Sequence, residues 1–140
     1  MTLIIDAGPL VALADPAEPL RDAILGALAG EPGALVVPAP TTAEIDYLLG
    51  RRFGSPARRA FVADLAAGRF TVASLERGEY LSVLDLEARY ADLDLGLADC
   101  ALITLAARYR TTRILSFDER HLRAVTPLHG DAFVLLPADA

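Results

Sequence analysis

An α/β fold with a mostly parallel, covered central sheet is the architecture that this 140-residue sequence predicts. Three observations carry the prediction. Short apolar runs alternate with helical periodicities from one end of the chain to the other. The runs are almost continuously hydrophobic, as strands covered on both faces are. Glycine and proline fall singly at the junctions as turn markers instead of pooling into a linker. With 54% hydrophobic residues there is ample material for one core, so a single domain over residues 1–140 is expected.

The elements follow in order. Residues 2–6 (TLIID) read as a buried strand that ends at Gly8-Pro9. Helical spacing follows in Leu10-Val11-Leu13 and again in Leu20-Ile24-Leu25-Leu28, stopping at Gly30. ALVVPAP (34–40) is a second strand closed by two prolines. TTAEIDYLLGRRFG is a helix with Thr41 or Thr42 as its cap, a stripe of Ile45, Leu48 and Leu49, and Gly50 or Gly54 at its end. SPARRAFVADLAAG begins with Ser55 and Pro56 at cap and first turn and stops at Gly68. FTVASL is the third strand, and ERGEYLSVLDLEARYADLD a long amphipathic helix. GLADCALITLAARYR is another helix, with arginines at its C-terminal end where they complement the dipole. TRILSFD repeats the opening grammar of an apolar strand ending in aspartate, and AFVLLP supplies the last strand.

The formal net charge is −6, which by itself opposes nucleic-acid binding, because nonspecific affinity draws on positive potential. Distribution qualifies the sum: all 13 basic side chains are arginine, and many are grouped. Arg51, Arg52, Arg120 and Arg123 are the candidate phosphate contacts, since a guanidinium suits bidentate phosphate binding. The lone Cys100 has no partner for a disulfide or a zinc site and reads as a small buried hydrophobe. No basic region precedes the first apolar run, and no segment approaches the roughly 18 apolar residues of a membrane span. A soluble, cytoplasmic protein without a membrane partner is expected.

In open α/β sheets, ligands gather outside the carboxyl ends of the strands. Asp6 and Asp118 fall at the carboxyl ends of two predicted strands, while Glu44 and Asp99 fall in or near the first turns of two helices at the same rim. Each has an ordinary local use, as a cap or a dipole partner. Four carboxylates from four separate segments nevertheless repel one another and need a compensating charge, and there is no lysine to supply it. Mg²⁺ or Mn²⁺ meets that need, since both prefer oxygen ligands and bind through carboxylates together with substrate phosphate. His121 and His129 lack zinc-ligand spacing. One or two such ions, roughly 3.5–4 Å apart if paired, suit in-line hydrolysis of a phosphodiester by an activated water. Two would bring the formal charge from −6 to −2. Asp94, five residues before Asp99, is a fifth candidate, but it sits in a turn and reads as an outer-shell or purely structural acid, and Asp46 lies on another helix face from Glu44 and reads as solvated.

The blocks IIDAGPLVALAD, VVPAPTTAEIDYLL and DLDLGLADCALITLAARYRTTRILSFDERHL, in this order and over nearly the whole chain, resemble the PIN-domain ribonucleases, in particular the VapC-type toxins of bacterial toxin–antitoxin pairs. The resemblance places the acidic metal-binding roles on Asp6, Glu44, Asp99 and Asp118, with Ser116 where the family has a hydroxyl that helps to orient the metal-activated water. It implies a three-layer αβα sandwich with a mostly parallel central sheet, Mg²⁺ or Mn²⁺ dependence, endonucleolytic RNA cleavage, homodimerisation and inhibition by a cognate VapB-type antitoxin. Gly8 stands where many members carry Ser or Thr two residues after the first aspartate. A noncatalytic PIN-fold module that binds RNA or a protein partner is the competing expectation. A haloacid-dehalogenase-type phosphatase would need an aspartate at position 8, and a phosphoacceptor receiver domain would need a lysine; this chain has neither.

Overall fold

The computed structural model describes all 140 residues. Five strands alternate with seven α-helices: β1 (Leu3–Ile5), α1 (Ala7–Ala12), α2 (Arg21–Ala29), β2 (Leu35–Pro38), α3 (Ala39–Phe53), α4 (Ser55–Ala66), β3 (Thr71–Ala73), α5 (Glu79–Arg89), α6 (Leu97–Arg108), β4 (Arg113–Leu115), α7 (Glu119–Ala124) and β5 (Val134–Leu136). All four strand pairings are parallel, in the order β3-β2-β1-β4-β5. The first strand is therefore the central one, with Ile4 opposite Val36 on one side and Ile114 on the other.

Strand alternation divides the core in two. Ile4, Val36, Ile114 and Leu135 point to a layer formed chiefly by α5 and α6. Leu3, Ile5, Val37, Leu115 and Leu136 point to the opposite layer, formed by α1 to α4. Helix α6 is buried continuously from Cys100 to Ala106, which explains its weak amphipathic pattern and places Cys100 in the core.

Several boundaries depart from the sequence expectation. Helix α3 begins at Ala39, so neither threonine caps it: Pro40 occupies its first turn, and Thr42 Oγ1 donates back to Ala39 O at 2.7 Å. Ser55 is likewise already helical, and the cap position belongs to Gly54. That glycine has φ +88°, a conformation open to glycine and strained for other residues, and it joins α3 to α4 without a longer loop. The expected long helix over 76–94 divides into α5 and a 3₁₀ turn at Ala91–Leu93, ended by Asp94 in the left-handed region at φ +51°. Asp94 is thus a turn residue, as expected. Asp46 is not simply solvated, because Arg58 Nε donates to it at 3.1 Å across the α3–α4 corner.

Candidate active site

The carboxyl ends of β1, β2 and β4 carry the predicted acids. Asp6 follows β1 directly and caps α1, its Oδ1 accepting the Ala7 N–H at 2.8 Å. Its other oxygen, Oδ2, accepts the Ser116 hydroxyl at 2.8 Å, and Ser116 Oγ in turn accepts the Asp118 N–H at 3.0 Å. Ser116 is 1% exposed, so this chain of bonds locks the ends of the two central strands together. Asp118 caps α7 by accepting the His121 N–H at 3.2 Å. The His121 ring bonds the same carboxylate, with Nδ1 at 2.8 Å from Oδ2 and 3.0 Å from Oδ1; because an ionised carboxylate only accepts, Nδ1 carries the proton. Asp99, in the first turn of α6, reaches back to the Gly96 N–H at 3.3 Å. Glu44 projects from α3 and is the most exposed of the four.

These groups sense one another. Burial raises the Asp6 carboxyl above the ordinary range against the lowering bonds from Ser116 and Ala7, and the charges of Asp99 and Asp118 raise it further. Glu44 is raised by burial and by Asp6 and Asp99, and Asp99 by burial and by Asp118. The Asp118 hydrogen bond shifts His121 upward, with support from Asp99. The structure thus brings together Asp6, Glu44, Asp99, Asp118 and Ser116. It adds His121, which composition and spacing had considered only as a zinc ligand. The available signal was its position three residues after a cap aspartate.

No three carboxylate, imidazole or thiol groups close around a single point, so the acids form a rim and not a preformed cage. An all-oxygen, mutually repelling donor set that remains partly open is chemically suited to Mg²⁺ or Mn²⁺, which retain several waters and need few protein ligands. The raised pKa values come first from burial and then from the neighbouring carboxylates.

The candidate phosphate contacts separate. Arg52 is exposed and lines a crevice with Gly8, Phe53 and Phe117 beside the acidic rim, whereas Arg51 faces a different hollow with Tyr47 and Arg58. Arg120 is exposed next to His121. Arg123 is engaged elsewhere: its guanidinium binds Glu119 and Asp139, each at 2.7 Å, and ties α7 to the chain end. That engagement counts against a phosphate role. Gly8 also has a packing reason, since a Cβ there would lie 3.1 Å from Phe117 Cδ2.

A PIN-domain family model matches residues 3–126. The chain is 37% identical to Ribonuclease VapC26 of Mycobacterium tuberculosis over 135 residues, covering 96% of this chain and 100% of that protein. Among solved structures, M. tuberculosis VapC20, described as a sarcin-ricin loop cleaving toxin, superposes with a TM-score of 0.74 at 16% identity, covering 83% of this chain and 89% of that one. VapBC2 of Rickettsia felis, bound to promoter DNA, gives 0.70 at 12% identity over 96% and 97% of the two chains. A toxin–antitoxin complex from Klebsiella pneumoniae gives 0.69 at 16% identity over 91% and 99%. At these identities the structural likenesses establish the fold, whereas the family match and the full-length relative establish descent. With its five parallel strands, its two helical layers and its acids at the strand ends, the chain belongs to the PIN-domain family.

Proposed function

We infer that this protein is an endoribonuclease acting as the toxin of a toxin–antitoxin pair, with Asp6, Glu44, Asp99 and Asp118 as its acidic centre. The convergence of four carboxylates from α1, α3, α6 and α7 on the central strand ends carries this reading. The full-length likeness to a protein named as a ribonuclease supports it. The single domain is the catalytic unit.

Mg²⁺ or Mn²⁺ bound by the four acids would supply Lewis-acid charge for the phosphodiester and lower the pKa of an attacking water. The chain's own groups divide the remaining work. Asp6 is held by the Ala7 N–H and Ser116, so its carboxylate presents one fixed face. Asp118 is fixed by His121. Ser116 Oγ both donates and accepts within the protein, which makes it a positioning group and leaves water as the nucleophile. Arg52 and Arg120, both exposed, are the phosphate contacts.

The partner is a VapB-type antitoxin whose basic segment sets an arginine among the carboxylates, matching the surplus negative charge. A complex with that segment remote from the acids would refute this. The protein pairs as a homodimer, and exposed Leu81 and Leu84, at 69% and 62% on α5, are apolar surface available for the contact. A monomeric mass in light scattering would count against it.

Cleavage of a mixed cellular RNA pool by antitoxin-free protein, with Mg²⁺, Mn²⁺ or EDTA and with Asp99→Asn beside it, tests the central reading. Metal-dependent cutting absent from the variant is expected. No cutting by folded protein would favour a noncatalytic module.

A further inference from the structure

Phe117 lies between two candidate site residues, Ser116 and Asp118, and is 40% exposed although Ile114, Leu115 and Ser116 before it are buried. Its ring rests over the start of α1, where Gly8 offers no side chain; a Cβ there would crowd the ring at 3.1 Å. Gly8 therefore both accommodates the ring and keeps the ground beside Asp6 clear. The ring lines a crevice together with Phe53, 38% exposed, and Arg52. Asp15 and Glu18 lie at the same crevice, where each carboxylate caps a nearby backbone N–H, of Ala17 and Leu20 respectively. Two exposed aromatic rings in one slot next to a phosphodiester-cleaving centre form a good seat for a flat neutral base and leave Arg52, which also lines the slot, for the phosphate beside that base. Unpaired RNA bases stack on aromatic faces and guanidinium planes, and acids accept from their exocyclic amino groups.

We propose that Phe117 is a substrate-positioning residue: one unpaired base adjacent to the scissile phosphate leaves the RNA stack and lies on the Phe117 ring, in the crevice shared with Phe53 and Arg52. This rests on the ribonuclease reading above and adds to it the way in which the substrate is held. It makes the substrate single-stranded at the cut, since a base within a duplex cannot reach the slot.

The test uses a single-stranded oligoribonucleotide that the protein cuts, together with versions lacking the base at each nucleotide flanking the cut. Phe117→Ala, Phe117→Leu and Phe117→Tyr are compared with the parent, and Asp99→Asn is the control. Phe117→Ala is expected to raise KM about tenfold with kcat within about threefold, the effect of losing one stacked base. Phe117→Tyr restores the parental KM, while Phe117→Leu, which retains bulk and packing, does not. Removing one flanking base raises the parent's KM by a similar factor and adds nothing in Phe117→Ala. A parental KM in folded Phe117→Ala, or equal base-removal effects in both proteins, would overturn the proposal while Asp99→Asn silence still upholds the nuclease. No cutting by the folded parent would overturn both.

Discussion

Asp6 shows how a cap and a site residue can be the same side chain. One oxygen closes the first turn of α1 and the other receives Ser116, so the group is oriented by the fold before any ligand arrives. Asp6→Asn keeps an oxygen for the Ala7 N–H and so is expected to fold, while RNA cleavage falls by about a hundredfold or more from loss of an anionic ligand; single-turnover rates check this. Ser116→Ala removes the donor to Asp6 and the acceptor for Asp118 N–H in a buried place, at a cost of about 1–3 kcal/mol in urea unfolding. Its cleavage should fall less than that of Asp6→Asn, because every carboxylate remains. Unchanged stability in Ser116→Ala would mean that the relay contributes nothing. Asp118 was legible as a cap or as a site acid, and the structure shows it as the cap of α7, placed at the acidic rim; its His121 partner was not legible, because a ring bonded to a carboxylate leaves no mark in composition.

The elements were legible wherever hydrophobic period alone decided them, as with β1, β4 and α6. They were less so where proline and threonine chemistry competed. Pro40 fits the first turn of a helix as well as it ends a strand, so the cap of α3 falls at Pro38, three or four residues before the expected threonines. The grouped arginines looked alike as sequence, but the elements that carry them give each a different task. Arg123 joins α7 to the segment after β5 through Glu119 and Asp139, and Asp139 also accepts the Leu135 N–H at 2.8 Å. Arg123→Ala is therefore expected to speed amide exchange around Leu135 and to leave the KM for RNA unchanged, whereas Arg52→Ala raises KM. A KM rise in Arg123→Ala of the same size would return it to the phosphate contacts.

Over the whole molecule, the acidic rim is a site of conflict that the surrounding packing holds in place. Asp6, Glu44 and Asp99 have folded-state pKa values above their ordinary ones, so the native state binds more protons than the unfolded chain between those limits. Their contribution to stability is then greatest below the ordinary carboxylate range and falls as pH rises through the folded pKa values. Glu79 and Asp139 are lowered by their arginine partners and act in the opposite sense, losing stabilisation as pH falls. Metal-free protein should consequently gain thermal stability on adding Mg²⁺ at pH 7.5, by a few degrees for about 1 kcal/mol, and gain little at pH 4.5, where protons occupy the rim. Asp99→Asn should melt above the parent without metal at pH 7.5 and respond less to Mg²⁺; scanning calorimetry tests both, and an equal Mg²⁺ response would place the ion elsewhere. The hydrogen bond from Ser116 to Asp6 spans 110 positions of the chain. During synthesis on a ribosome, a nascent chain that has emerged only through α6 holds three of the four acids but neither β4 nor the relay that steadies Asp6. A chain built in this order cannot close its acidic rim until β4 and the segment that carries Ser116 and Asp118 have joined it.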